Sequence, residues 1–259
     1  MKKITAASLL AAKKNDARMA WLTAYDAGAA RIAEQAGIDV ILVGDSLGMV
    51  NLGFDSTLPV TLEDMIMHTA SVVRGCNRPW VVCDLPFGSY QQSKEQAFES
   101  SVRVLQQTGC DAIKIEGGSH MIETIQFLCD RGIAVVGHIG MTPQSSKKFG
   151  NFKQRGSDIE ERSTLINDAK AIAQTGATAL VLEHIPSDLS TEITKAIHIP
   201  TVGIGAGLDC DAQVLVWHDL LGLSENTPPF VQPYINLREQ ASNAISQWAN
   251  DVRGGKFPN

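Results

Sequence analysis

One unit recurs along this chain: a short apolar run that ends in a polar or glycine-containing turn, followed by a segment whose apolar residues return at helical spacing. The apolar runs centre near positions 20, 40, 81, 113, 135, 180, 202 and 215. Each unit takes roughly 30 residues, the size of a strand–helix repeat with parallel strands. The runs are nearly continuous rather than alternating, as expected of strands covered on both faces. Eight such units close more naturally into a cylinder than into an open sheet. The pattern therefore predicts an α/β fold, a (β/α)8 TIM barrel, with residues 1–259 forming a single domain.

The helices announce themselves by their ends. Asp26 is placed to cap an alanine-rich helix that stops at Gly37. Thr61-Leu-Glu-Asp64 has the form of a capping box, and Leu62, Met65, Ile66, Thr69, Val72 and Val73 follow at helical spacing until Gly75. Ser93 opens a helix ending near Gly109, and Ser157-Asp-Ile-Glu160 opens a longer one ending at Gly176. The opening segment, with Lys13 and Lys14 breaking its apolar stretch, predicts a short N-terminal helix rather than a secretion signal. Val214-Leu-Val-Trp217 predicts the last strand. Leu237, Ala241, Ala244, Ile245 and Trp248 predict a C-terminal helix packed outside the barrel.

Function is suggested by what stands at the strand ends. The run Val40-Ile-Leu-Val43 leads to Asp45 and Ser46; Trp80-Val-Val-Cys83 to Asp84; Ala112-Ile-Lys-Ile115 to Glu116; Ala134-Val-Val-Gly137 to His138; Ala179-Leu-Val-Leu182 to Glu183. In an α/β barrel the C-terminal strand ends form one rim, where catalytic groups gather. Several acids on one rim repel one another unless a cation joins them or some are protonated. Asp45 and Asp84, without cysteine or paired-histidine ligands beside them, suit magnesium, and Glu116 is a candidate third ligand, directly or through water. The plainer reading makes these acids helix caps or partners of a lysine. Lys114 shares its strand face with Glu116, so it points inward towards a substrate anion or towards those acids. Glu183, across the rim and not needed for a metal, is a candidate general base. His138 is a candidate substrate contact, and His184 is expected to face outward. Gly203-Ile-Gly-Ala-Gly207 has the look of a phosphate cradle, but no Lys or Arg lies between Thr201 and Val216. The polar stretch 142–156, with Lys147, Lys148, Lys153 and Arg155, is a candidate lid.

Composition narrows the partners. The formal net charge is −6 and no Lys/Arg block stands out, which disfavours nucleic acid and anionic membranes. No apolar run is long enough to span a bilayer. Five scattered cysteines without a CxxC pair point to reduced thiols in a cytoplasmic protein.

Taken together, Gly44-Asp-Ser-Leu-Gly48, Asp84-Leu-Pro-Phe-Gly88, Lys114-Ile-Glu-Gly-Gly118, Gly137-His-Ile-Gly-Met-Thr-Pro-Gln144, and Glu183 followed by Gly203-Ile-Gly-Ala-Gly207 resemble the ketopantoate hydroxymethyltransferase family. The likeness runs in order from about residue 3 to 257. It implies a magnesium-dependent barrel enzyme of pantothenate synthesis, using 5,10-methylenetetrahydrofolate and 3-methyl-2-oxobutanoate, and a cytoplasmic homo-oligomer, often a decamer. It also implies Asp45, Asp84 and Glu116 at the metal, the last through water, Ser46, Asp84 and Lys114 on the oxo acid, and Glu183 as proton acceptor; Asp45 and, by its place at a strand end, His138 are further candidate contacts to the oxo acid. One departure is Phe149-Gly-Asn-Phe152, where relatives carry a glycine-rich Gly-Gly-Tyr/Phe stretch. The nearest rival is another magnesium enolate enzyme of the phosphoenolpyruvate mutase/isocitrate lyase type, although the Lys-Lys-Cys-Gly-His signature of isocitrate lyase is absent. A third reading is a barrel that binds such ligands without turning them over.

Overall fold

The structure is a computed structural model that describes residues 2–150 and 153–258. It divides into two compact units, the first running to Val214 and the second beginning at Leu215. The expected barrel is present: eight parallel strands, β1 Met19–Thr23, β2 Val40–Val43, β3 Trp80–Asp84, β4 Ala112–Glu116, β5 Val135–Gly140, β6 Ala179–Glu183, β7 Thr201–Ile204 and β8 Ala212–Leu215, close in sequence order. A short helix α1, Ala6–Lys14, precedes them. Between strands run α2 Ala27–Gln35, α3 Leu47–Val50, α4 Leu62–Gly75, α5 Lys94–Thr108, α6 Ile122–Cys129, α7 Ser146–Phe149, α8 Ile159–Gln174 and α9 Ser187–Ala196.

The helix starts follow the local chemistry. Asp26 accepts from the Ala29 amide, Ser93 from the Gln96 amide, and Thr61 and Asp64 form a reciprocal capping box. At the end of α5, Gly109 takes a left-handed φ of 73°, which a side chain would resist.

The barrel interior is filled by complementary sizes. Trp21 of β1 and Trp80 of β3 meet edge-to-face, centroids 6.3 Å apart, while Ala112, Ala179 and Ala212 from β4, β6 and β8 leave room for them. Leu9 of α1 is buried in the same cluster, so the N-terminal helix closes the lower mouth. Around that mouth a staple recurs. Asp39, Asp111 and Asp211 stand immediately before β2, β4 and β8. Their Oδ2 atoms accept the backbone amides of Ala20, Val81 and Thr201 at 3.1, 2.8 and 2.8 Å. Each also pairs with a base at 2.8 Å: Arg78, Lys3 and Lys13, respectively.

The last strand differs from expectation. It occupies Ala212–Leu215 rather than 214–217, because Asp211 is stapled to Thr201, which aligns Val202 with Ala212. The apolar run continues past it into a short helix, α10 Trp217–Leu220. In the second unit the predicted tail helix forms as α11, Leu237–Arg253, with Asn236 accepting from the Glu239 amide at its start.

Candidate functional site

The C-terminal strand ends bring the rim acids together. Asp45 follows β2 by two residues, and Gly44 makes the turn close: a Cβ there would lie 2.8 Å from Ser46 Oγ. The Asp45 amide donates to Asp84 Oδ2 at 3.1 Å. From β4, Lys114 reaches Asp84 Oδ1 at 3.3 Å and Glu116 Oε1 at 3.7 Å, so the shared strand face predicted for Lys114 and Glu116 is real. From β5, His138 places Nδ1 3.1 Å from Lys114 Nζ and 3.3 Å from Glu116 Oε1. Nδ1 thus has one donor and one acceptor within reach, and its protonation selects between them. On its other side Nε2 lies 3.2 Å from Glu183 Oε2 of β6.

Neither aspartate caps a helix. Asp45 accepts from a side-chain amide, and Asp84 accepts from the backbone and forms an ion pair with lysine. Asp45, Asp84, Lys114, Glu116 and His138 are all buried, whereas the Glu183 side chain keeps 16% of its area open. Ser46 sits at the edge, its Oγ 3.0 Å from the Tyr25 hydroxyl, which in turn accepts from Thr23.

Burial and crowding set the charges. Burial first, then the negative charge of Asp84 and Glu116, pushes Asp45 well above the usual carboxylate range. Burial also raises Asp84, with Lys114 opposing it. For Glu116 burial acts upward, but His138, Lys114 and the Gln144 amide outweigh it and hold the acid low. Burial alone would discharge Lys114; Asp84, Glu116, Asp45 and Glu183 together keep it charged. Burial and Lys114 act against a charge on His138, yet Glu116 and Glu183 prevail and push it up to about 9.

The site therefore holds two carboxylates whose second charge is disfavoured, and Asp84 Oδ1 faces the Lys114 ammonium at 3.3 Å as an ion pair without a formed hydrogen bond. Among the described residues no group of three or more His, Cys, Asp or Glu is arranged to hold a metal ion. Asp45 and Asp84 alone are a carboxylate pair of the kind a hard cation accepts while keeping water and substrate.

Three functional groups escaped the sequence reading. Gln144, just past β5, donates to Asp45; Tyr90, in the loop after β3, donates to Gln144; Tyr25 holds Ser46. In the candidate lid, a 3-10 turn, Pro143–Ser145, leads into α7. Arg155 stacks on Phe149 and pairs with Glu161. Of the divergent Phe149-Gly-Asn-Phe152 segment, Asn151 and Phe152 lie outside the described residues. His184 is in a left-handed conformation, φ 47°, so strand alternation ends at Glu183. In the glycine run, a Cβ on Gly203 would meet Cys210 and Gln213 at 3.0 Å, and Ala206 O accepts from Ser190.

Comparison with known proteins adds a family, two relatives and two structural likenesses. A family model described as ketopantoate hydroxymethyltransferase matches residues 3–259. A Cyanothece protein named 3-methyl-2-oxobutanoate hydroxymethyltransferase is 50% identical over 95% of this chain and 95% of its own length. A Flavobacterium johnsoniae protein of the same name is 46% identical over 100% of this chain and 95% of its own. Among solved structures, a phosphonopyruvate hydrolase in complex with oxalate and magnesium superposes with a TM-score of 0.64 at 14% identity, covering 100% of this chain and 89% of that one. A 2,3-dimethylmalate lyase of the PEP mutase/isocitrate lyase superfamily superposes at 0.62 with 15% identity, covering 100% and 88%. These two likenesses establish the shared barrel fold.

Proposed function

The chain belongs to the ketopantoate hydroxymethyltransferase family, and we propose that it transfers a hydroxymethyl group from 5,10-methylenetetrahydrofolate to 3-methyl-2-oxobutanoate, giving 2-dehydropantoate for pantothenate synthesis. The observation that carries this reading is the convergence of Asp45, Asp84, Lys114 and Glu183, from four separate strands, on one end of the barrel.

Magnesium fits the donors present: buried carboxylates, one with an oxygen that makes no hydrogen bond and meets only an ion-pair contact to Lys114, and no sulfur ligand among them. Asp45 and Asp84 would hold it, with Glu116 acting through water because its oxygens already meet His138 and the Gln144 amide. Bound there, the ion would polarise the oxo group and offset the negative charge that appears when C3 is deprotonated. The chain's own groups do the rest. Lys114 offers its charge to the substrate carboxylate, with Ser46 and His138 beside it. Glu183, the rim acid with open surface, takes the C3 proton. Water cleaves the two C–N bonds of the folate's methylene bridge, giving tetrahydrofolate and formaldehyde; the enolate carbon then attacks the formaldehyde carbon, and the alkoxide formed takes a proton to become the hydroxymethyl group.

The mutase and lyase reading has fold likeness at 14–15% identity behind it, against relatives near 50% behind the transferase. We place the protein in the cytoplasm: all five cysteines are free thiols, and no helix among the described residues is long and apolar enough to cross a membrane. We also infer a homo-oligomer, with the family's decamer as the expectation, since Ile245, Trp248 and Val252 of α11 are exposed. The test is product formation from the oxo acid and methylenetetrahydrofolate. The reading expects turnover that stops on chelation and in Asp84→Asn. Turnover indifferent to both would reject it.

A further inference from the structure

Gln144 sits on the 3-10 turn directly after β5 and is buried. Its backbone amide donates to Glu116 Oε2 at 3.1 Å. Its side-chain Nε2 donates to Asp45 Oδ2 at 2.9 Å and to the Leu85 carbonyl at 2.9 Å. Its Oε1 accepts from the Tyr90 hydroxyl at 2.6 Å and from Gln91 Nε2 at 3.0 Å. A side-chain amide has two donors and two acceptor sites, and here all four are used.

The amide can stand only one way round. Turned over, its oxygen would face the Leu85 carbonyl, an acceptor without a proton, and the Asp45 carboxylate, which in its ionised, cation-binding form is another. Tyr90 supports the orientation: its oxygen accepts the Glu116 backbone amide at 3.1 Å, and that oxygen lies much closer to Gln144 Oε1, at 2.6 Å, than to the Glu116 carbonyl, at 3.4 Å, so its proton goes to Gln144. One residue thus joins the ends of β2, β3, β4 and β5 through direct hydrogen bonds to both Asp45 and Glu116.

We propose that Gln144 is a positioning residue that sets the relative placement of Asp45 and Glu116 for a divalent cation and the oxo acid. This rests on the reading of the rim given above. The choice of an amide is chemically apt. A lysine or arginine in that place would fix Asp45 equally well but would neutralise the charge a cation needs. A neutral donor fixes Asp45 Oδ2, leaves Oδ1 for the ion, and adds no positive charge to compete with it. The buried, fully bonded amide also means that little rearrangement is needed when a ligand arrives.

The test titrates metal-free, full-length protein with manganese(II), followed by electron paramagnetic resonance, alongside thermal midpoints and steady-state kinetics. Wild type should bind one manganese ion and Asp45→Asn should lose it. Gln144→Leu, of similar volume, should weaken manganese binding at least 10-fold and raise KM for the oxo acid while the metal-free protein remains folded. Gln144→Asn, which keeps the amide but draws it back by one methylene, should fall between the two and serves if the leucine variant does not fold. Manganese affinity within 2-fold of wild type in a folded Gln144 variant, with a lowered thermal midpoint, would reduce Gln144 to a structural role and overturn the proposal. Failure of wild type itself to bind manganese would instead remove the metal reading, and this inference with it.

Discussion

Replacing Lys114 with methionine tests the electrostatic logic of the rim most sharply. The Lys114 side chain is 4% exposed, and its ammonium lies 3.3 Å from Asp84 and 3.7 Å from Glu116. At an effective dielectric near 20, each contact is worth about 4–5 kcal/mol before desolvation. Removing one partner from a buried pair leaves the other charge stranded, at a net cost of about 3–5 kcal/mol. The lower end applies, because burial raises both Asp45 and Asp84, so each takes up a proton more readily than an exposed acid and can discharge part of the excess. A loss of about 3 kcal/mol corresponds to a fall of roughly 6–12 °C in the melting temperature of a domain of this size. A divalent cation should replace the missing charge, so the variant should gain more stability from magnesium than wild type does. Differential scanning fluorimetry and equilibrium urea unfolding, each with and without magnesium, measure both quantities. A Lys114→Met protein that melts with wild type in the absence of metal, or whose deficit is the same with and without it, would refute the reasoning.

Asp211→Asn should lower urea stability by about 1–3 kcal/mol, since a half-buried carboxylate there bonds Lys13 and the Thr201 amide; activity at saturating substrate should be unchanged, because the staple lies at the opposite barrel end. Gly140 has φ 99°, and a Cβ there would run into the Glu183 carbonyl; Gly140→Ala should therefore displace the ends of β5 and β6 and reduce kcat more than 10-fold while a folded circular-dichroism spectrum persists. Burial pushes the Cys110 thiol up to about 11, so at pH 8 iodoacetamide should modify it roughly two orders of magnitude more slowly in the folded than in the urea-unfolded protein, as read by mass spectrometry. Because that folded value is raised, the thiol's contribution to stability is whole below the unfolded value near 8.5 and is lost as pH rises towards 11; unfolding midpoints at pH 8 and 10.5 show the sign.

Much of this was readable from local chemistry. Capping residues such as Asp26, Thr61 and Ser93 act on amides three residues away, so short stretches of sequence reveal them. Acids at strand ends were readable for a related reason, since parallel closure forces the ends of β2 to β6 onto one rim whatever lies between them. What was hidden depends on distance or brevity. Gln144 meets Asp45 across 99 residues and Tyr90 across 54, and neither pairing leaves a periodic trace. Helices α3, α7 and α10 span four residues each, too short for a helical period to register. The last strand was misplaced because apolarity alone does not separate Val214-Leu-Val-Trp217 into a strand end and a helix start; the Asp211 staple does.

The central claim is that rim acids gathered around one divalent ion make the oxo acid give up its C3 proton to Glu183. Deuterium uptake at C3 of 3-methyl-2-oxobutanoate in heavy water, followed by proton NMR, measures that step without the folate. The account predicts uptake with wild type and magnesium, none after chelation, and none with Glu183→Gln. Uptake that continues undiminished in Glu183→Gln, or without any divalent metal, would contradict it.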